Sequence, residues 1–207
     1  VESALSRALA QSGARICYGH AAENVGAPGL VVRSSAIPDD NPEVQAARAA
    51  GIPVLKRADF LGQLMSAKTG IAIAGTHGKT TTTAMTAWVW NFLGLDPSFI
   101  IGGVSQNLGT NAHAGKGSVF IIEADEYDRM FHGLAPDAMV VTNLEHDHPD
   151  CFPTPEIYQQ AFVDFVARLR LGGFALFCAD DPLAPGLAAA LPAGCTAFTY
   201  GLLGGAD

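Results

Sequence analysis

Residues 75–80 read Gly-Thr-His-Gly-Lys-Thr and combine residue types that bind phosphate. They follow an apolar run at 71–74, typical of a buried strand, and precede a segment with helical pattern. A turn between a strand and a helix points backbone N–H groups at one spot, and the helix dipole adds positive potential there. Lysine supplies a mobile cation and threonine a hydroxyl for a metal. The pattern therefore predicts a nucleotide phosphate site formed by Gly75, Thr76, His77, Gly78, Lys79, Thr80 and Thr81.

The glycine turn alone leaves a second interpretation open. It is about two residues shorter between its glycines than the common GxxxxGK[ST] loop. A Gly-x-x-Gly turn between strand and helix also occurs without a ligand. The threonine run at 80–83 favours phosphate binding. Because threonine is β-branched, such a run lowers helix propensity unless its hydroxyls cap N–H groups or contact ligands.

An acidic cluster follows a second apolar run. Residues 119–122 read Val-Phe-Ile-Ile and lead directly into 123–128, which hold four carboxylates. These carboxylates repel one another unless cations or donors compensate them. Glu123 stands at the predicted strand end, where an oxygen ligand for Mg²⁺ is expected. For Asp125, Glu126 and Asp128, a metal site and a solvated acidic turn remain equally open.

A third polar cluster, at 145–150, holds two histidines and three carboxylates and follows the apolar run 138–142. The spacing of His146 and His148 is not that of a helical zinc pair, and no cysteine-rich partner completes a zinc site. Because parallel strands end at one edge of a sheet, the three clusters are expected to converge. That convergence favours a nucleotide–metal site over three unrelated turns.

Apolar periodicity and turn residues predict alternating helices and strands, hence an α/β fold with a parallel sheet. Helices are expected at 3–12, 42–50, 58–67, 79–93 and 155–170, with another starting at 181. Strands are expected at 15–18, 30–32, 52–55, 71–74, 99–101, 119–122, 138–142, 174–178 and 196–200. Residues 103–117 are expected to form a polar loop. An apolar stripe in the helix 79–93 is expected to face the core: Met85, Trp88, Val89, Phe92 and Leu93.

Composition limits the classes of function. The 207 residues can form one large or two small domains, and the net charge of −8 argues against a general nucleic-acid surface. No apolar run approaches the roughly 20 residues of a membrane span, and no secretory signal opens the chain. The four cysteines lack paired metal spacing and favour a reducing, cytoplasmic compartment. Because the chain starts with valine, it is expected to begin inside a longer protein.

The three clusters together resemble the Mur ligases, the ATP-dependent amide ligases of bacterial peptidoglycan synthesis. The resemblance rests on Gly-Thr-His-Gly-Lys-Thr-Thr-Thr-Thr at 75–83, Glu-Ala-Asp-Glu at 123–126 and Thr-Asn-Leu-Glu-His-Asp-His at 142–148. It implies two Rossmann-like parallel-sheet domains. The expected first domain, 1–69, binds a UDP-sugar, and the second, 70–207, is a P-loop ATPase domain. Both are expected to be partial, with the family's C-terminal domain absent.

The segment 34–43 and the Gly-Ile-Pro-Val at 51–54 resemble the branch that joins L-alanine to UDP-N-acetylmuramate. The resemblance implies that ATP phosphorylates the muramoyl carboxylate and that the amine then displaces phosphate. The resemblance also implies that Lys79 contacts the β- and γ-phosphates and that Thr80 and Glu123 bind a Mg²⁺ ion. His148 would bind a second Mg²⁺, and since histidine is an unusual Mg²⁺ ligand, Mn²⁺ should substitute well. Lys79, Glu123 and His148 are thus the expected catalytic residues.

The resemblance also places three residues of the first domain beside the UDP-sugar: His20, Ser34 and Ser35. From spacing alone, His20 is a surface loop residue, and the two serines fit a plain turn as well as a ligand site at a strand end.

Three other functions remain open. Tyr127 stands where the L-alanine branch usually has serine, which is similar to the recycling ligase that attaches a tripeptide to UDP-N-acetylmuramate. A non-catalytic nucleotide-binding module is a second alternative, although Lys79, Thr80, Glu123 and His148 are all present. A simple P-loop ATPase would leave residues 30–60 unexplained. The 207 residues alone are expected to be inactive, and the oligomeric state is left open.

Overall fold

A computed structural model describes residues 3–203, which divide into two compact units, with the division between residues 57 and 58. The first unit contains helix α1 (Ala4–Gln11), strand β1 (Val31–Arg33), helix α2 (Pro42–Ala49) and strand β2 (Val54–Lys56). The two strands pair in parallel, with Val31 opposite Val54. The side chain of Asn41 caps α2 by accepting a hydrogen bond from the Glu43 N–H at 2.9 Å, as the Asn-Pro-Glu sequence predicts.

The prediction of a strand at 15–18 is wrong. Within the described part of the first unit, Arg15–Tyr18 has no strand partner and its residues are mostly exposed. A short run with some β character needs a neighbouring strand to complete its hydrogen bonds, and sequence spacing does not reveal whether one is available.

The second unit is built on a seven-stranded sheet. Its elements are α3 (Arg57–Ser66, starting at the unit boundary), β3 (Thr69–Ala74), α4 (Lys79–Phe92), β4 (Ser98–Ser105), β5 (Thr110–His113), β6 (Val119–Glu123), β7 (Ala138–Val141), α5 (Pro155–Val166), β8 (Phe174–Cys178) and β9 (Thr196–Tyr200). The strand order is β5-β4-β6-β3-β7-β8-β9, and all neighbours are parallel except β4 and β5. Strand β3 therefore lies between β6 and β7, and the three polar clusters follow three adjacent strands.

Residues 103–117 are not simply a loop. Strand β4 extends to Ser105, and Thr110–His113 pairs with it in antiparallel fashion, with Phe99 opposite His113. The sequence Thr-Asn-Ala-His hides this strand because an edge strand needs no apolar face on both sides.

The core lies on both faces of the sheet. On one face, α5 and the segment Tyr127–Gly133, which is 3₁₀ helix kinked at Asp128 and Arg129, supply a large aromatic cluster. It includes Phe131, Tyr158, Phe162 and Phe165. On the other face, Ala87 of α4 packs with residues of β4 and β6. The sheet is therefore held rigidly behind the loops that follow its strands.

The apolar stripe of α4 does not face the core, which corrects the sequence prediction. Phe92 is 75% exposed and Met85 64%, and the remaining members are also exposed to at least 36%: Trp88, Val89 and Leu93. The helix instead buries the small residues Thr83 and Ala87. Small side chains allow a close approach to the sheet, and periodicity identifies an apolar face without showing what covers it.

Helix α5 is shorter than the expected 155–170, and the helix expected to start at 181 starts later and is a 3₁₀ helix. Helix α5 ends at Val166, and the segment after residue 181 forms a 3₁₀ helix at Ala184–Ala190. None of the described helices is long and apolar enough to cross a membrane.

Candidate active site

The glycine turn lies between β3 and α4 and is packed against the end of β7. Gly75 has φ +126°, and a Cβ built there would lie 2.1 Å from the Thr142 hydroxyl oxygen. Gly78 caps α4 in the left-handed region, with φ +82° and open space around it. The two glycines thus serve different needs, since one allows a close approach and the other only a backbone conformation.

Residues 142 and 143 hold the turn in place. The N–H of Thr76 donates to the Asn143 carbonyl at 3.1 Å, and the N–H of His77 donates to the Asn143 side-chain oxygen at 2.8 Å. The hydroxyl of Thr142 donates to the His77 carbonyl at 2.6 Å. These bonds fix the loop before any ligand binds, which lowers the ordering cost of binding.

The ammonium of Lys79 is turned into the loop. It donates to the carbonyl oxygens of Gly75 at 2.7 Å and Thr76 at 3.1 Å, and to Oε1 of Glu126 at 3.0 Å. Its distance to Oε2 of Glu126 is 2.9 Å. Only 13% of the lysine side chain is exposed, so this is a sheltered ion pair.

Glu126 is completely buried. Burial raises the pKa of its carboxyl group, and the hydrogen bond from Lys79 acts in the opposite direction. Within the described chain, its Oε2 accepts no hydrogen bond. The Tyr158 hydroxyl lies 3.4 Å from Oε1 but only 2.8 Å from the hydroxyl of Thr76. Lys79 is therefore the close partner of this carboxylate.

Thr80 and Glu123 meet at the mouth of the turn. The threonine hydroxyl donates to Oε1 of Glu123 at 2.9 Å, and the N–H of Gly102 donates to Oε2 at 2.6 Å. Two adjacent ligands of an octahedral Mg²⁺, each at about 2.1 Å, lie about 3 Å apart, so the two oxygens fit one ion. No group of three or more His, Cys, Asp or Glu residues suited to a metal exists between residues 3 and 203. Phosphate and water would have to complete the coordination.

A cavity of about 190 Å³ opens in front of these groups. It is lined by Thr76, Gly78, Lys79, Thr80, Thr81 and Glu123. The structure therefore brings Glu123 and most of the residues predicted to bind phosphate together around one cavity. His77 lies on the outer side of the loop, where its ring contacts the exposed carboxylate of Glu145 at 3.2 Å.

His148 lies beside Glu126. Its Nε2 is 3.7 Å from Oε1 of that carboxylate, and its backbone adopts a positive φ of 54°. Its ring packs edge-on against Tyr127 with centroids 5.2 Å apart, and the Tyr127 hydroxyl donates to Asp150 at 2.9 Å. This hydrogen bond is the main reason that the pKa of Tyr127 rises to about 12. Tyr127 thus links the acidic cluster at 123–128 to the polar cluster at 145–150.

The three residues predicted for the UDP-sugar lie in the first unit. The ring of His20 contacts Glu43 at 2.8 Å, and Asn24 donates to the other oxygen of that carboxylate at 2.8 Å. These two hydrogen bonds lower the pKa of Glu43. Ser34 and Ser35 directly follow β1 and are exposed.

The sequence matches two family descriptions over nearly its whole length. Residues 73–207 match the Mur ligase middle domain, and residues 1–69 match "Mur ligase family, catalytic domain". The chain belongs to the Mur ligase family. The resemblance drawn from the three clusters is confirmed.

The chain has high sequence identity to curated Mur ligases. The chain is 49% identical over 181 residues to UDP-N-acetylmuramate–L-alanine ligase of Anaeromyxobacter dehalogenans, covering 87% of this chain and 40% of that protein. Identity to the enzyme of the same name from Bordetella pertussis is also 49%, covering 87% and 39% of the two chains. The chain thus spans about two fifths of the length of these relatives.

Solved Mur ligase structures share the fold. UDP-N-acetylmuramate–alanine ligase MurC from Thermotoga maritima superposes with a TM-score of 0.80 at 29% identity, covering 99% of this chain and 46% of that one. UDP-N-acetylmuramate:L-alanyl-gamma-D-glutamyl-meso-diaminopimelate ligase from Neisseria meningitides gives 0.84 at 26% identity, covering 96% and 67%. The predicted α/β fold with parallel-sheet domains is confirmed.

Sequence reasoning missed two members of this Mur ligase site. The sequence does not single out Glu126, because its burial cannot be predicted from a segment with four carboxylates in six residues. For Tyr158 the sequence predicts only a place in a helix, and no local pattern marks its hydroxyl as a partner of Thr76. Both gain their positions from contacts between distant parts of the chain.

Proposed function

We propose that this chain is part of an ATP-dependent ligase that joins L-alanine to UDP-N-acetylmuramate through an acyl phosphate. Lys79, Thr80 and Glu123 around one cavity at the end of β3 carry the proposal. A cation, a hydroxyl and a carboxylate in that arrangement suit the transfer of a phosphoryl group held with Mg²⁺. The names of the relatives that are 49% identical favour L-alanine as the amine.

The chemistry requires charge neutralisation more than a protein nucleophile. A carboxylate oxygen of the substrate attacks the γ-phosphorus and ADP leaves. The amine nitrogen then attacks the acyl carbon and expels phosphate, which takes up the proton that the amine loses. Lys79 and the N–H groups of the turn offset negative charge on the phosphates. Thr80 and Glu123 would hold Mg²⁺, which would supply further positive charge. His148 is proposed to bind a second divalent cation, for which Mn²⁺ also serves.

The two parts of the chain are proposed to bind different substrates. Residues 1–69 bind the UDP-sugar, with His20, Ser34 and Ser35 as contacts, and residues 70–207 bind ATP. His20 is already oriented by Glu43, and the two serines stand at the carboxyl end of a parallel strand, where α/β sheets bind ligands. The bacterial cytoplasm stays the expected location.

A second candidate uses the same chemistry with a tripeptide as the amine. Tyr127 favours it, since the L-alanine branch usually has serine there, and so does the TM-score of 0.84 to the Neisseria meningitides ligase. The identity of 26% to that ligase, against 49% to the L-alanine ligases, makes it the second choice.

The phosphate assignment is tested by removing the lysine without stranding its partner. Lys79→Ala alone would leave the buried Glu126 carboxylate unpaired, at a cost of about 3–5 kcal/mol. We therefore pair Lys79→Met with Glu126→Gln in the full-length enzyme and use Lys116→Ala, an exposed lysine, as the charge control. ADP formation by the double variant should fall at least about 100-fold below that of Glu126→Gln alone, and it should stay unchanged in Lys116→Ala. A folded double variant that forms ADP as fast as Glu126→Gln alone would contradict the assignment.

A further inference from the structure

Each of the three N–H donors of the Lys79 ammonium has an acceptor in this structure. A lysine ammonium has three N–H donors. Its near acceptors are the carbonyls of Gly75 and Thr76 and the carboxylate of Glu126, all within 3.1 Å. To contact a phosphate, the lysine must therefore release one of these three partners.

Of the three contacts, the one to Glu126 is energetically the most unfavourable to break. This carboxylate is completely buried, whereas the other two acceptors are neutral carbonyls. Neither His148, whose Nε2 lies 3.7 Å from Oε1 and so beyond hydrogen-bond distance, nor Tyr158 can readily replace the lysine. The Tyr158 hydroxyl has one proton, and it lies nearer to the hydroxyl of Thr76, at 2.8 Å, than to the carboxylate, at 3.4 Å. An unpaired buried carboxylate is strongly disfavoured.

We infer that Glu126 is a positioning residue that stays paired with Lys79 when nucleotide binds. Lys79 then releases loop carbonyls and bridges the buried carboxylate and the phosphates. This inference rests on the proposed function, and it adds a residue that acts through the lysine and does not itself touch the substrate. Glu126 fixes the direction of the ammonium, and its negative charge weakens the attraction of the site for phosphate.

The inference predicts opposite effects on binding and turnover. Glu126→Gln keeps the size of the side chain and an acceptor for Lys79 but removes the charge. Nucleotide should bind about 3- to 10-fold more tightly, because a negative charge near the phosphates is gone. The lysine, freed to follow the phosphate in the ground state, should align it less well in the transition state, and kcat should fall about 10- to 100-fold. A purely structural residue would weaken binding and turnover together.

The test uses the full-length ligase. Calorimetry gives the Kd of the imido analogue of ATP with Mg²⁺, and ADP release with UDP-N-acetylmuramate and L-alanine gives kcat. Asp164→Asn removes the same charge from a side chain of α5 that is 43% exposed, and should leave both values unchanged. Glu126→Asp keeps the charge but withdraws it from the lysine, so it should lower kcat with Kd within about twofold of wild type.

Tighter analogue binding together with a lower kcat in Glu126→Gln supports the inference, and any other combination overturns it. If Glu126→Gln does not fold, Glu126→Asp decides by the same two values: a weaker Kd or an unchanged kcat contradicts the inference. If the wild-type ligase releases no ADP with these substrates, the proposed function fails, while the analogue affinity of Glu126→Gln still decides the pairing of Glu126 with Lys79.

Discussion

Two carboxylates of the phosphate site differ in exposure and in partner. Glu123 is partly exposed and accepts hydrogen bonds from Thr80 and the Gly102 N–H, whereas Glu126 is buried and pairs with Lys79. A metal that keeps several waters needs an accessible carboxylate, and a lysine that must be held in one direction is better served by a sheltered one. Three residues apart in sequence, they are expected to divide the two tasks.

The hydroxyl of Thr80 tests the metal assignment. Thr80→Val keeps the shape of the side chain and removes the oxygen that lies 2.9 Å from Glu123, while Thr80→Ser retains it. We expect Thr80→Val to raise the Mg²⁺ concentration for half-maximal ADP formation about tenfold or more, because one of two protein ligands is lost. Thr80→Ser should stay close to wild type. An unchanged Mg²⁺ titration in Thr80→Val would remove Thr80 from the metal site.

At the scale of elements, the turn depends on how closely β3 and β7 approach at their ends. Gly75 and Gly78 both have positive φ, yet only Gly75 faces another chain segment, with Thr142 at 2.1 Å from an added Cβ. Alanine is strained at both positions, and more so at Gly75, where φ +126° lies further from the left-handed region than the +82° of Gly78; only at Gly75 is a steric clash added.

Gly75→Ala should therefore destabilise the fold more than Gly78→Ala. The strain of a left-handed alanine costs about 1–2 kcal/mol, and overpacking at Gly75 adds about 1–3 kcal/mol. Thermal unfolding of the full-length protein measures the difference as a lower Tm for Gly75→Ala. Equal Tm values for the two variants would mean that β7 yields to the added methyl group and that the turn is not held by close packing.

The elements that the sequence predicts correctly are those with strong local signals. Helix α2 carries its own cap and first-turn proline, and β6 and β7 are uninterrupted apolar runs, so all three are found where expected. The strand at 15–18, the edge strand β5 and the buried face of α4 depend on neighbours that the sequence does not place. The same holds in the site: the glycine turn and Glu123 can be predicted from residue types and spacing, whereas Glu126 and Tyr158 cannot, because their roles depend on burial and on contacts over 32 to 82 residues.

At the scale of the whole molecule, the two units match two parts of one enzyme family. The structural boundary falls between residues 57 and 58, and the matched segments meet near 69–73. Helix α3 and the start of β3 lie between these limits and belong to the second unit in the structure. The assignment of UDP-sugar to the first part and ATP to the second stays a prediction.

The central claim is that the full-length protein activates UDP-N-acetylmuramate for attack by L-alanine. Its most direct test is ADP release with ATP, Mg²⁺ and UDP-N-acetylmuramate, with either L-alanine or L-alanyl-γ-D-glutamyl-meso-diaminopimelate as the amine. We predict a kcat/KM for L-alanine at least about 100-fold above that for the tripeptide, the discrimination that a binding site can reach between such different amines. A preference for the tripeptide, or no ADP release with either amine, would contradict it.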